Sequence, residues 1–392
     1  MPLLNRAVEM QPEIALWRQA LHMEPEILFE VHKTAAFVAE KLRVFGCDDV
    51  ATGIGRTGVV GMIKGRHGEG PTLGMRADMD ALPIAEETGL AHASKIPGRM
   101  HACGHDGHTA MLLGAARHLC ETRNFRGRVA VIFQPAEEGG GGGLAMVKDG
   151  LMQRFAIDSV YGMHNFPGLA VGRFAIRPGP IMAAADVFSI TVSGKGGHAA
   201  APHKAVDPIF IAAQIVSALQ GIAARNADPL DALVISITRF NAGDANNVIP
   251  QSATLIGTAR TLNPELRKLA KANIHRTAQG IASALGGEAI VNYEFEMGYP
   301  VTLNQERETA IAAEVARQVA GPRNVDANFA PVMGAEDFSF MLEARPGAFI
   351  FLGNGDTAFC HHPAYDFNDN AIPTGVSYWV RLAETILAPA AT

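Results

Sequence analysis

Apolar positions across residues 12–46 recur at spacings of three and four with few β-branched residues, and this period predicts helix. From Gly58 onward the texture changes. TGVVGMIKG, PTLGMRADMD, GRVAVIFQPAEE and DSVYGMHN are short apolar runs ending in polar clusters, the pattern of buried strands. Between the second and third runs, GHDGHTAMLLGAARHLCETR returns to a helical period. Strands alternating with helices predict a largely parallel sheet covered on both faces.

Near Ala185 the pattern shifts again. DVFSITVSG alternates as a strand, and DPIFIAAQIVSALQGIAAR reads as a helix opened by Asp207 and Pro208. LDALVISITRF and ATLIGTART are strands joined by NAGDANNVIPQS. A helix over 264–285 and the strand EAIVNYEFE complete a β-α-β-β-α-β order, the ferredoxin-like arrangement. Further helices are expected over 305–319 and 374–387, flanking MGAEDFSFMLEARPGAFIFLGNG. The economical reading is an α/β chain with a split catalytic domain, 1–184 and 297–392. A lid of about 110 residues, 185–296, is inserted into it.

Composition narrows the function classes. The 392 residues are 48% hydrophobic and 18% charged, with net charge −6, so a sizeable core is feasible. No run of Lys or Arg supplies a nucleic-acid footprint. No apolar stretch of about 18 residues suggests a membrane span, and the N-terminus carries acidic residues where a signal peptide is apolar. Four scattered cysteines are too few for a disulfide scaffold. A cytoplasmic protein without nucleic-acid or membrane partners is expected. The segment GIGRTG matches a dinucleotide-binding fingerprint, but VVGMI after it reads as a strand where that motif requires a helix.

The ionisable groups gather where strands end, the position at which open α/β sheets bind ligands. RADMD carries Asp78 and Asp80, QPAEE carries Glu137 and Glu138, and GMHN carries His164. HACGHDGH, with Cys103, His105 and His108, precedes a helix; CHHP, with Cys360, His361 and His362, follows FIFLG. Cys, His and carboxylate are ligands for divalent transition metals. On an extended loop, Cys103 and His105 can both face one ion, or the thiolate can bridge two. Adjacent glutamates on extended backbone point to opposite sides, so one can bind metal while its neighbour acts as a base.

RADMDALP, HACGHDGHTAML, PAEEGGGG, GMHN, GKGGHAAAPH, NVIP followed by GTAR, MGAEDF and HHPAYDFND stand in the order found in the M20 metallopeptidase family. The chain most resembles its amidohydrolase branch: hippurate hydrolases, N-acyl-amino-acid amidohydrolases and auxin-conjugate hydrolases. The resemblance implies a zinc-peptidase-like catalytic domain with a mixed sheet flanked by helices. It also implies a ferredoxin-like lid that forms a homodimer or higher oligomer. Two divalent ions are implied, Mn or Zn, with Co and Ni also open. Cys103 would bridge them, His105 and His164 would complete one, and Glu138 with His361 the other. His362 is the alternative to His361, Asp78 a poorer candidate, and Asp80 would orient a ligand from behind. Glu137 would be the general base. His198, on the lid, would reach the neighbouring subunit's site as oxyanion donor, and Asn247 and Arg260 would hold the substrate carboxylate.

These readings imply metal-dependent hydrolysis of a small-molecule N-acyl amino acid to a carboxylic acid and a free amino acid. A dipeptidase or aminopeptidase on the same metals is the alternative, and a catalytically dead binding protein a further one. The intact set Glu137, Cys103, His105, Glu138 and His164 argues against the last. Redox sensing through Cys103 lacks a resolving cysteine nearby in sequence.

Overall fold

The computed structural model describes residues 3–294 and 297–389. The chain forms two compact units. The first is Met1–Ile181 with Leu303–Ala330 and Asp337–Thr392; the second is Met182–Thr302 with Pro331–Glu336.

The first unit holds helices α1 (Asn5–Met23), α2 (His32–Phe45), α3 (His105–Thr122), α4 (Glu306–Ala320) and α5 (Ile372–Ile386). Its strands are β1 (Asp49–Ile54), β2 (Gly58–Lys64), β3 (Thr72–Asp78), β4 (Arg128–Gln134), β5 (Ser159–Pro167), β6 (Phe174–Ala175), β7 (Val325–Asp326) and β8 (Gly347–Gly355). They form one eight-stranded sheet, β1-β2-β4-β3-β5-β8-β6-β7. The central four are parallel, whereas β1, β2 and β6 join antiparallel. The sheet is therefore mixed, and parallel where the reading of strand–helix alternation applies. The expected helix over 12–46 is two helices. Glu24, the last cap of α1, leaves helical geometry at φ −125° and ψ 59°, because the residue before Pro25 is sterically barred from it.

Nearly every side chain of α3 from His105 to Ala116 is buried, packed between the sheet and helices α1 and α5. Leu73, Met75, Val129, Val131 and Phe133 of the inner strands share its core with Leu112, Leu113 and Trp379. Continuous apolar strands suit a sheet covered on both faces.

The second unit is an antiparallel sheet ordered Leu233–Ala242, Ser252–Thr261, Ala184–Ser193, Glu288–Asn292. That is the expected ferredoxin-like order. Its helix Pro208–Asn226 is opened by Asp207, whose carboxylate accepts from the Ile209 and Phe210 amides. By length and composition this helix is apolar enough to cross a membrane, a stretch the sequence reading passed over. Here its Ile211, Ile215, Leu219 and Ile222 share a core with Phe188, Ile190, Val192 and Leu255.

Segment 331–336, assigned from sequence to the catalytic domain, belongs to the second unit. Met182 bridges Val332, and the Ala183 amide donates to the Gly334 carbonyl. At the other boundary Ala185 bridges Tyr299, which extends the unit past 296. Residue 296 itself, with Phe295 at the end of EAIVNYEFE, lies outside the described residues.

Candidate metal centre

The polar groups collect at the carboxyl ends of β3, β4, β5 and β8. β3 ends on Asp78, with Asp80 two residues on. β4 runs into Glu137 and Glu138, β5 carries His164, and the loop after β8 carries Cys360 and His361. Cys103 comes from the loop before α3. His105 is the first residue of α3 and not part of an extended loop as expected from sequence. The turn depends on Gly104, at φ 90°, where a Cβ would collide with the Asn165 amide and the Tyr365 hydroxyl.

Glu137 and Glu138 sit in a turn, not on extended backbone. Ala136 enters it in left-handed geometry, φ 54°. Asp80 holds the turn: its Oδ1 accepts the Glu137 amide at 2.9 Å and its Oδ2 the Glu138 amide at 3.1 Å. The two side chains still make different contacts. Glu137 Oε1 accepts the Asp337 amide at 3.3 Å, whereas Glu138 Oε1 lies 3.3 Å from His361 Nε2 and 3.8 Å from His105 Nε2.

The imidazoles are oriented by their Nδ1 atoms. His105 donates Nδ1–H to the Asp80 carbonyl at 2.7 Å, and His164 donates to the Asn165 carbonyl at 2.7 Å. His164 thereby keeps Nε2 as a lone-pair donor, and His105 turns its Nε2 to the same centre, free to ligate once its proton yields to a metal, the arrangement of metal-binding histidine. Asp80 thus orients His105 through its main chain, with its carboxylate taken up by the glutamate turn. Cys103 Sγ lies 3.4 Å from His164 Nε2 and shares a second cluster with Glu138 and His361. His105 belongs to clusters with Asp78, His108 and His164, and with Glu137 and Glu138. Cys103 therefore stands between the two donor groups.

At this centre His105 Nε2 and Glu138 Oε1 are buried and have no hydrogen-bond partner among the described residues. Orphaned polar atoms cost free energy unless something pairs them, and a cation among these donors pairs both. The residues present fit divalent metal. Asp78 is less available: its oxygens take Arg76 at 2.8 Å and His108 Nδ1 at 2.6 Å. His361 faces Glu138, while the exposed His362 accepts the Ala364 amide on Nδ1.

Electrostatics carry the same signature. Burial pushes the Asp78 carboxyl up, but His105, Arg76 and His108 outweigh it and hold it well below the usual range. Burial likewise opposes charge on His105, yet Asp78, Asp80 and Glu138 raise it well above an ordinary imidazole. Burial pushes His164 down, towards the neutral form a ligand needs. His361 is raised by Glu138. Protons on His105 and His361 thus balance a carboxylate-rich pocket, a task a divalent ion can take over.

Reasoning from sequence missed three supports, Arg76, Asn165 and Asp337. Asp337, fully buried, takes Arg76 at 3.1 Å and Gln134 at 2.7 Å on Oδ1 and the Gly143 amide at 2.7 Å on Oδ2. A carboxylate inside MGAEDF with no basic residue nearer than Arg345 was the available signal.

The lid residues lie in the second unit. His198 pairs in register with Val248, and the Asn247 carbonyl accepts the Ala199 amide, so the two residues adjoin and are exposed. Arg260 stands at the other end of the unit's sheet, opposite Ala185, on the face without helices. Its Nε donates to Thr258 Oγ1 at 3.2 Å.

These donors at the strand ends define a binding centre for divalent metal ions on a mixed α/β scaffold. The chain belongs to peptidase family M20/M25/M40, whose sequence model matches residues 74–385. It is 43% identical over 383 residues to a hippurate hydrolase of Campylobacter jejuni, covering 98% of this chain and 99% of that protein. It is 41% identical to thermostable carboxypeptidase 2 of Saccharolobus solfataricus, covering 90% and 88%. Among solved structures it is similar to a dinuclear metal-binding M20 peptidase of Bacillus subtilis. The TM-score there is 0.83 and the identity 35%, covering 97% of this chain and 99% of that one.

Proposed function

We propose that this hydrolase cleaves the amide bond of N-acyl amino acids, releasing a carboxylic acid and a free amino acid. The observation that carries the reading is the orphaned pair His105 Nε2 and Glu138 Oε1, set beside Cys103, His164 and His361 with a second carboxylate, Glu137, one residue away. The hippurate hydrolase relative supports the substrate class.

Cys103, His105, Glu138, His164 and His361 would hold two divalent ions, Mn or Zn in the first instance. When bound, such ions polarise an amide carbonyl and lower the pKa of water to about 7. Glu137 takes the proton from the attacking water and delivers it to the leaving nitrogen. Asp80 keeps Glu137 and Glu138 apart by gripping both amides, so base and ligand do not exchange places.

The lid supplies the remaining groups. Arg260 offers a planar fork to the substrate carboxylate, and Asn247 lies beside His198, the oxyanion donor. Along the lid sheet, Arg260 pairs with Ala185 and Ser252 with Ser193. Eight strand positions, about 27 Å, therefore separate Arg260's end of the sheet from the end that leads to His198. One lid presents those two residues to different places, which supports a homodimer in which His198 serves the partner's site. The lid's outer strand, Leu233–Ala242, leaves Val234 and Phe240 exposed at its edge and is suited to that contact. A cytoplasmic location accords with the free cysteines.

The test is hydrolysis of a panel of N-benzoyl, N-acetyl and N-indoleacetyl amino acids, after chelation and reloading with each metal. The second reading, a peptidase, draws on the carboxypeptidase relative. It is favoured if unblocked dipeptides turn over faster than N-acylated substrates. Undiminished activity in metal-free protein, checked by elemental analysis, would sink both.

A further inference from the structure

All four cysteines are unpaired by disulfide, and they stand in two couples. Cys47 and Cys120 have their sulfurs 3.7 Å apart, away from the metal ligands. The second couple is at the centre itself. Cys360 Sγ lies 3.9 Å from the Cys103 carbonyl oxygen and 3.8 Å from the Asn165 amide. One residue along, the His361 amide donates to the Ala102 carbonyl at 2.7 Å, which locks the two segments side by side. That bond links the peptide group after Cys360 to the one before Cys103, so the two cysteines flank a single backbone hydrogen bond. Cys360 is partly exposed, so a small oxidant has access. None of the metal and base roles above needs Cys360.

We propose that Cys103 and Cys360 are a disulfide-forming pair, oxidised by small-molecule disulfides when Cys103 carries no metal and protected when it does. The chemistry balances with oxidised glutathione as the oxidant. One protein thiol attacks its S–S bond, forming a mixed disulfide and releasing one glutathione. The other protein thiol attacks the protein sulfur of that mixed disulfide and releases the second. One S–S bond forms and one breaks, and the two protein thiol protons end on the two released glutathiones. A metal-bound thiolate has its lone pair engaged and is withdrawn from this exchange. The disulfide in turn deprives the metal of its sulfur donor, so oxidation and metal loading compete for one atom. The disulfide rests on the adjacency of the Cys103 and Cys360 segments; its suppression by metal rests on the reading of Cys103 as a ligand.

The experiment uses the full chain carrying Cys47→Ser and Cys120→Ser, which removes the other couple, with the unaltered chain in parallel. Chelated protein is incubated with oxidised glutathione, then examined by thiol titration, intact mass and non-reducing peptide mapping. The expected result is loss of both remaining thiols, a mass lower by two hydrogens and a linked Cys103–Cys360 peptide that dithiothreitol releases. Protein preloaded with Mn²⁺ should keep both thiols. Adding Cys360→Ser should abolish the linked peptide and leave metal content unchanged. Two free thiols in the chelated sample, or a glutathione adduct without a linked peptide, overturns the pair. Equal oxidation with and without bound Mn²⁺, shown by elemental analysis, overturns the protection and removes Cys103 from the ligand set, leaving the amidohydrolase reading to its own test.

Discussion

Arg76 and Asp337 are ion-paired at 3.1 Å, both fully buried, although 261 residues of chain separate them. The pair ties β3 to the segment whose backbone amide meets Glu137. Removing Asp337 leaves Arg76 paired with Asp78 but strands the Gln134 and Gly143 donors, so the cost should stay below the roughly 3–5 kcal/mol of a fully unpaired buried charge. Asp337→Ala should lower the urea midpoint accordingly, whereas Asp337→Asn, which keeps an acceptor for one of Gln134 and Gly143, should cost less. Equal stability of both variants and the parent would show that Asp337 does not stabilise the fold.

The glutamate turn assigns different fates to neighbouring residues. Glu137→Gln should retain its metal and lose about 10²–10⁴-fold in kcat, the usual worth of a general base. Glu138→Gln should lose metal, because its carboxylate oxygen is the one set between His105 and His361. Metal analysis alongside kcat separates the two. The reverse pattern would exchange their roles.

His22 supplies a pH dependence away from the metal. It is fully buried, with Nδ1 at 2.9 Å from Asp106 and Nε2 at 3.3 Å from Glu86. Burial disfavours its charge, but these two carboxylates prevail and raise it to about 9. The folded state therefore holds the proton more tightly than the unfolded chain, whose value is near 6.5. The stabilisation is full below pH 6.5, of order 3 kcal/mol, and fades as pH climbs through 9. The stability gap between the parent and His22→Gln, from urea unfolding, should shrink between pH 6 and pH 9.5. A gap that stays constant across that range would show His22 to be neutral in the fold.

Subunit exchange tests the lid assignment. His198→Ala and Glu137→Gln are each expected to be nearly inactive, the former by about 3–4 kcal/mol of lost transition-state stabilisation. If His198 serves the partner's site, a mixed dimer has one doubly defective and one intact site, and activity returns on mixing. No recovery, with mixed dimers verified by mass, would place His198 in its own chain's chemistry or outside it.

Periodicity and capping made most of the fold legible. The alternation of DVFSITVSG and the Asp207–Pro208 helix start describe local geometry, and local geometry is what neighbouring residues determine. The strand-end rule likewise put Glu137, Glu138 and His164 on one rim. What escaped depends on residues distant in sequence or on single backbone angles. Ala136 in left-handed geometry turns an apparent strand end into a turn. Cys360 comes to lie against Cys103 through the His361–Ala102 backbone bond and the Asn165 side chain. Segment 331–336 joins the second unit through pairing with residues some 150 positions earlier. No spacing rule reaches that far.

The split layout of the first unit bears on how the protein acquires its metal. The donors proposed for it are spread from Cys103 to His361, with the whole of Met182–Thr302 between His164 and His361. A chain emerging from the ribosome can offer only a partial chelate until His361 has been made and β8 has paired with β5. With that donor set, cation capture would be a late event of biogenesis, and tight metal retention would certify that the two halves of the unit have found each other.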